Sequence, residues 1–433
     1  MVGSKSDSSG AFGQVWITLA LLSSTAQAPC DCDDQDGYTC GCGGTNNVWP
    51  SDQSQLPSDN IEPLTASAMP SPFPPSTSTP GTGTVKLSLR PPNQPVFEVL
   101  SFSYPLKLVV SAPHHLHNAA SRTDVSTTTR LHPSSVPLLF LLTYGGGLVS
   151  GDQIHLFISL APTTRLTIAT QGSTRIFRPS LPHDDSYPAQ SPSLTGQNLR
   201  VQIRANAALW LGPDPCQPFA LSRYAQTQIF EVDVTGEGSL GLVDWVSEGR
   251  SARGEKWRFE GWRGRNEIWD VSTCAIDIGE EHPGKRKRLI LRDNLILSAP
   301  DIASRVDGLG IFGTIIMIGP LFSSLAKFFI DEFKALPRMG ARDWNTHQGS
   351  NSTDPSSGKL LTEEEILEKW RKHRQEKEKN DGVLWTAAHV RGAVVVKFGA
   401  REVEGARLWL REMLGQERSL EKQFGSGALT CVK

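Results

Sequence analysis

Little in this chain points to conventional catalysis, structural disulfides or membrane insertion. Its 433 residues include only seven cysteines, and the three in the body, Cys216, Cys274 and Cys431, stand too far apart to make a disulfide framework. That usage suits a reducing compartment. The net charge is −2, so no global basic field draws nucleic acid or an anionic membrane. The basic run Lys285-Arg-Lys-Arg288 leads straight into Leu289-Ile-Leu291 and reads as the solvated start of a strand. The apolar run at 11–22 is too short to cross a bilayer. There is no Gly-x-Ser-x-Gly elbow, no His-Glu-x-x-His and no nucleotide fingerprint, which removes the common enzyme signatures. Hydrophobic residues reach only 38%, beside 29 Pro and 39 Gly, so part of the chain is expected to stay unfolded.

What is present is alternation. From residue 85 onward apolar and polar side chains exchange with period two, through 154–160, 163–172, 199–204, 228–234, 256–260, 266–271 and 288–292. Side chains of a strand point to opposite faces in turn, so these segments read as half-buried strands. Residues 311–318 are continuously apolar and read as a strand buried on both faces. Helices come late. Leu325, Phe328, Phe329, Phe333 and Leu336 share one helical face before Pro337, and Val403, Ala406, Leu410, Met413 and Leu414 share another before Gly415. Many strands followed by a few helices predict a mainly β fold with helical buttresses.

Chemistry has few candidate places. Leu142-Thr-Tyr-Gly-Gly-Gly-Leu-Val-Ser-Gly-Asp152 sets four glycines and one aspartate between two apolar runs. Glycine allows positive φ and close backbone approach, so this reads as a tight turn with a carboxylate at its exit. Asp152 either caps that turn or lines a polar passage. No helix follows, and there is no Gly-Lys-[Ser/Thr] ending, so a phosphate loop is not expected. The carboxylates Asp152, Glu231, Asp233, Asp244, Glu248 and Glu255 recur along predicted strands and read as outward-facing. If several instead faced one channel, they would make weak, exchangeable oxygen sites for a divalent ion, suited to relay rather than storage. His114, His115, His117 and His132 read as surface histidines, and Trp210, Trp245, Trp257, Trp262 and Trp269 as core or interface anchors.

The glycine run, followed by a strand ending in Arg175-Ile-Phe-Arg178, resembles the urease accessory protein family UreD, also called UreH. Leu209-Trp-Leu-Gly-Pro-Asp-Pro215, Phe219, Ala225-Gln-Thr-Gln-Ile-Phe230, Leu242-Val-Asp-Trp-Val-Ser-Glu-Gly-Arg250 and Gly254-Glu255 continue the resemblance in order. It implies a layered, β-helix-like or superhelical sheet with a few C-terminal α-helices. It also implies a scaffold in urease maturation that binds apo-urease and the UreF-like and UreG-like accessory proteins and assists nickel insertion. No GTP hydrolysis of its own, no tightly bound cofactor, no nucleic acid and no membrane are implied; nickel would be handled transiently. The positions carried over are Tyr144, Gly145, Gly146, Gly147, Gly151, Arg175, Arg178, Trp210, Pro213, Pro215, Gly249 and Arg250 for structure or partners, with Asp152 and Glu255 as candidates on a nickel route.

The organisation expected is an extension at 1–79, a β-rich body at 80–341, a polar insertion with an exposed helix at 342–382, a strand and helix at 383–415, and a flexible tail at 416–433. In the extension, 11–28 is signal-like and Cys30, Cys32, Cys40 and Cys42 form two Cys-x-Cys pairs. Met69 offers an alternative start, and a cytoplasmic chain is expected. Two rival classes remain open: a secreted β-solenoid binding protein, or a hydrolase using a carboxylate pair among Asp152, Glu248 and Glu255.

Overall fold

A computed structural model describes residues 79–115, 133–179, 193–272, 287–298, 300–337 and 362–432. The signal-like run, the Cys-x-Cys pairs, His117 and His132 lie outside them. The described residues are mostly strand, in two large sheets and one small one. The seven-stranded sheet has the order Arg288–Ser298, Gly261–Asp270, Arg223–Val232, Thr195–Ile203, Gln153–Leu160, Thr82–Arg90, Gln94–Phe102. The eight-stranded sheet has the order Leu384–Val390, Ala393–Ala400, Ile311–Ile318, Ser239–Ser247, Ala208–Leu211, Arg165–Ala169, Ser135–Thr143, Leu106–His115. Gln217–Pro218, Arg175–Ile176 and Gly147–Leu148 form the third.

From Ser135 the chain visits the eight-, three- and seven-stranded sheets in rotation, three times over. Each return pairs in parallel with the previous visit. Ser239–Ser247 and Gly261–Asp270 extend the winding in the two large sheets. Later strands add on antiparallel: Arg288–Ser298 on one sheet, then Ile311–Ile318, Ala393–Ala400 and Leu384–Val390 on the other.

The inner faces of the two large sheets meet in one apolar core, with Ile154, Leu156, Ile158 and Leu160 opposite residues such as Leu166, Ile168, Leu240 and Leu242. The outer face of the eight-stranded sheet carries Val243, Trp245, Ile315, Val396 and Phe398, which pack on the C-terminal helices in a second core. This explains why Ile311–Ile318 is buried throughout: its sheet is covered on both faces.

Three expectations are corrected. The segment 256–260 is not a strand: Trp257 has a φ of 53° and turns its ring inward against Phe259 and Phe312. The stretch 416–433 is not a flexible tail. Ser419–Phe424 and Ser426–Val432 are helical and bury Leu420, Phe424, Ala428 and Val432. The indole of Trp210 donates to the Ala428 carbonyl at 2.8 Å, and Arg165 donates to the Gln423 carbonyl at 3.0 Å. The preceding helix, Val403–Glu417, runs past Gly415 and ends at Arg418, which takes the left-handed conformation.

The helix Glu363–Asp381 is not simply solvated either. It starts with a capping box at Thr362 and Glu365. Its buried face is charged rather than apolar: Arg374 is 0% exposed and bonds Glu378 and Glu332, while Arg371 donates to Glu332 at 3.0 Å. Glu378 also accepts from the indoles of Trp385 and Trp409, both at 2.9 Å. Trp370 is half-buried against Phe328. A search for apolar residues misses such a face. Breaking a buried ion pair leaves an unpaired charge and costs about 3–5 kcal/mol. Arg374→Ala is therefore expected to lower unfolding stability by about that amount in urea titration. A loss near 0.5 kcal/mol, the usual ceiling for a surface change, would show that the helix is not held this way.

Candidate functional site

Two places collect the residues singled out in the sequence. The first is the small three-stranded sheet. Gly147 pairs with Arg175, which pairs with Gln217. A β-carbon at Gly147 would lie 2.5 Å from the Arg175 carbonyl oxygen, so glycine is required there by close approach. Beyond this sheet, Phe177 meets Phe219 edge to face at 5.4 Å, and the Arg250 guanidinium lies 4.1 Å from the Phe219 ring centre. Arg250 forks onto Glu255, with Nε donating at 2.8 Å, and Glu255 also accepts from the Ala220 amide. The Arg250 hydrogen bond holds the Glu255 carboxyl below the usual range, against a small opposing effect of burial, and the nearby Arg178 charge adds to it. Gly249 has a φ of 102°, and a β-carbon there would meet the Pro218 and Glu255 carbonyls.

Asp152 is a turn cap. Its Oδ2 accepts from the Val149 amide at 2.9 Å, and its own amide donates to the Val149 carbonyl at 3.0 Å. Tyr144, Gly145 and Gly146 form an exposed turn, and Gly145 and Gly146 take positive φ. Trp210, Pro213 and Pro215 belong to the junction with the C-terminal helices. The Pro213 carbonyl accepts from the Trp245 indole at 2.8 Å, and Asp214 between the prolines receives Arg407 at 2.9 Å. The carboxylates of the hydrolase reading are engaged separately: Asp152 by backbone, Glu248 by Lys256 and Glu255 by Arg250.

The second place lies between the two large sheets. Asp244, expected on a solvated face, faces between the two sheets and is half-buried. Its oxygens accept from Gln226 Nε2 at 3.0 Å and Asn266 Nδ2 at 2.7 Å. It has no ion pair among the described residues. Burial raises its carboxyl above the ordinary range; the Asn266 and Gln226 hydrogen bonds and the Lys397 charge work against this, and the Asp293 charge adds to it. Beside it is a cavity of about 40 Å³, lined by Gln226, Gln228, Tyr224, Cys216, Thr170 and Asp214 among others. That is room for about three water molecules at roughly one probe sphere each. Burial pushes the Cys216 thiol up to about 12, despite a hydrogen bond from Trp262, so this sulfur is a neutral wall rather than a thiolate ligand.

The layer is ordered by register. Gln228, Asn266 and Asp293 are neighbours across the seven-stranded sheet. Asp244, Thr314 and Lys397 are neighbours across the eight-stranded sheet. The Gln228 Oε1 and Asn266 Oδ1 atoms are buried without a hydrogen-bond partner, each at a cost of about 1–3 kcal/mol. No group of three His, Cys, Asp or Glu able to hold a metal occurs among the described residues. Outside the layer, Glu231 and Glu267 are buried but saturated by cations. Burial would raise Glu231, but Lys287, Arg200 and Gln202 hold it below the ordinary range. Burial would likewise raise Glu267, and Trp269, Arg265 and Arg292 hold it down.

A wound β body that holds a polar, carboxylate-bearing layer between its sheets is the class of fold this chain defines. The family model described as UreD urease accessory protein matches residues 106–428, and the chain belongs to that family. Urease accessory protein 4 of Cryptococcus neoformans is 27% identical over 77% of this chain and 89% of its own length. The ureD-like urease accessory protein of Schizosaccharomyces pombe is 29% identical over 65% of this chain and 82% of its own. Urease accessory protein D of Arabidopsis thaliana is 30% identical over 45% and 58%.

A carboxyl whose pKa is raised on folding binds its proton more tightly in the folded state. Its presence is harmless at pH below the unfolded value and destabilising once pH exceeds the folded one. Asp244→Asn is therefore expected to raise Tm at pH 8 and to leave it nearly unchanged near pH 4, since each pKa unit is worth about 1.4 kcal/mol. A lower Tm at pH 8 would show that the charge is compensated.

Proposed function

We propose that this chain is a scaffold in urease maturation, and that its interior passes nickel toward the urease active site. The observation that carries the reading is Asp244: a half-buried carboxylate between two sheets, hydrogen-bonded by amides rather than by a cation, beside a small cavity that Gln226 and Gln228 also line. A charge kept there at a cost to stability has the character of a functional group. Amide and carboxylate oxygens bind nickel weakly and exchangeably, which favours passage over storage. Nickel is then cargo, not a resident cofactor. Family membership supports urease as the client.

The same scaffold would hold apo-urease together with UreF-like and UreG-like proteins, with nucleotide hydrolysis left to the latter. One edge of the body supports a partner contact. Leu100, Phe102, Tyr104, Val109, Val110 and Tyr144 are exposed there, and the rings of Tyr104 and Tyr144 lie 5.7 Å apart beside the glycine turn. The winding of the chain through its sheets supports a β-helix-like body that holds this edge rigid. A cytoplasmic site of action is part of the proposal; no helix of the described residues is long and apolar enough to cross a membrane.

Deleting the chain from urease-producing, nickel-supplied cells is expected to abolish urease activity, with full restoration by the wild type. The tagged chain should co-purify with the UreF-like and UreG-like proteins. Tyr144→Ala should weaken that complex about tenfold, as loss of an exposed aromatic anchor does, without changing Tm. Unchanged urease activity in the deletion strain would overturn the proposal.

A further inference from the structure

The polar layer ends in a lysine. Lys397 rises from the inner face of the eight-stranded sheet, and its ammonium bonds Asp293 and the Thr314 hydroxyl, the latter at 2.7 Å. The side chains of Lys397 and Asp293 are 14% and 7% exposed. Asp293 belongs to the outermost strand of its sheet, and Lys397 to the strand next to the outermost of the other. Their contact thus stands at the end of the layer nearest the sheet edges. Inward from it follow Asn266 and then Asp244, which Asn266 bonds directly. Gln226 bonds the other oxygen of Asp244 and lines the cavity.

An ammonium is a compact positive charge with three donors and no acceptor. Here it sits among oxygens: Asp293, Thr314, and the row leading to Asp244. A pair built only for stability has no need of acceptors left over beside it. Yet Asn266, 1% exposed and the register neighbour of Asp293, keeps its Oδ1 unpartnered, and Gln228, 4% exposed and next to Asn266 in register, keeps its Oε1 unpartnered. Two carboxylates, an amide oxygen and a hydroxyl form an oxygen donor set of the kind that hard divalent cations take. A divalent ion and the ammonium repel each other and compete for the same carboxylate.

We propose that Asp244, Asn266, Asp293 and Thr314 form a divalent-cation site at the edge-strand end of the polar layer, and that the Lys397 ammonium is its occupant until an ion displaces it. That the natural ion is nickel rests on the function proposed above; the site does not. Lys397 keeps the site filled in the free protein and makes binding of a metal an exchange of one cation for another.

Manganese(II) is a suitable probe, because it prefers oxygen and is counted by electron paramagnetic resonance without interference from the N-terminal cysteines. The full chain carrying Lys397→Gln is expected to bind one manganese at least tenfold more tightly than the wild type, and manganese should raise its Tm. Lys397→Met serves as a second variant, and adding Asp293→Asn to either should remove the gain. Folded Lys397→Gln and Lys397→Met proteins that bind no more manganese than the wild type would overturn the proposal, as would a gain that survives Asp293→Asn. If that happened while urease activation still required the chain, the site would fall and the maturation reading would stand. Gained binding in a chain dispensable for urease would do the reverse.

Discussion

A charge removed from water must find partners, and this constraint organises the interior of the body. Parallel winding stacks the inner faces of two large sheets, so any polar side chain on those faces is taken out of solvent together with its neighbours in register. Most positions answer with Ile, Leu and Val. The exceptions are gathered into facing rows, Gln228–Asn266–Asp293 and Asp244–Thr314–Lys397. Amides serve Asp244 and an ammonium serves Asp293. A polar residue misplaced by one position along a strand would face the other side of the sheet, which makes the rows dependent on strand register.

The same constraint governs the outer side of the eight-stranded sheet. Its apolar face needs a cover, and the C-terminal helices supply it. The cover is positioned by buried polar contacts as well as by packing: Glu378 under two indoles, Arg374 between two glutamates, Asp214 with Arg407, and Trp210 with the Ala428 carbonyl. The Leu-Trp-Leu-Gly-Pro-Asp-Pro block therefore acts as the joint between the wound body and the helices. The Arg250–Glu255 pair performs a similar task at the small sheet, where it fastens a loop over Phe219.

Much of this was legible from the residues. The strand periods, the doubly buried Ile311–Ile318, the glycine turn and the late helices were readable because apolar spacing records which faces are covered. Asp244 was not, because alternation says that two faces differ without saying which one is inside. A carboxylate on an inner face has the same spacing as one on a solvated face. The helix Glu363–Asp381 was misread for a related reason: its buried face is made of Arg374 and Glu378, and their partners lie on distant segments. The final residues carry few apolar positions in sequence, yet Leu420 and Phe424 are buried and dock them. Lys397 gave no signal at all, since its meaning depends on Asp293 over a hundred residues away in the chain.

The central claim is that Asp244 is kept inside for nickel, not for the fold. It is tested most directly by the nickel content of urease purified from nickel-supplied cells whose only copy of this chain carries Asp244→Asn. The account predicts a chain that accumulates normally and still joins its partners, with urease left largely without nickel. Fully loaded urease in the presence of that variant would contradict it.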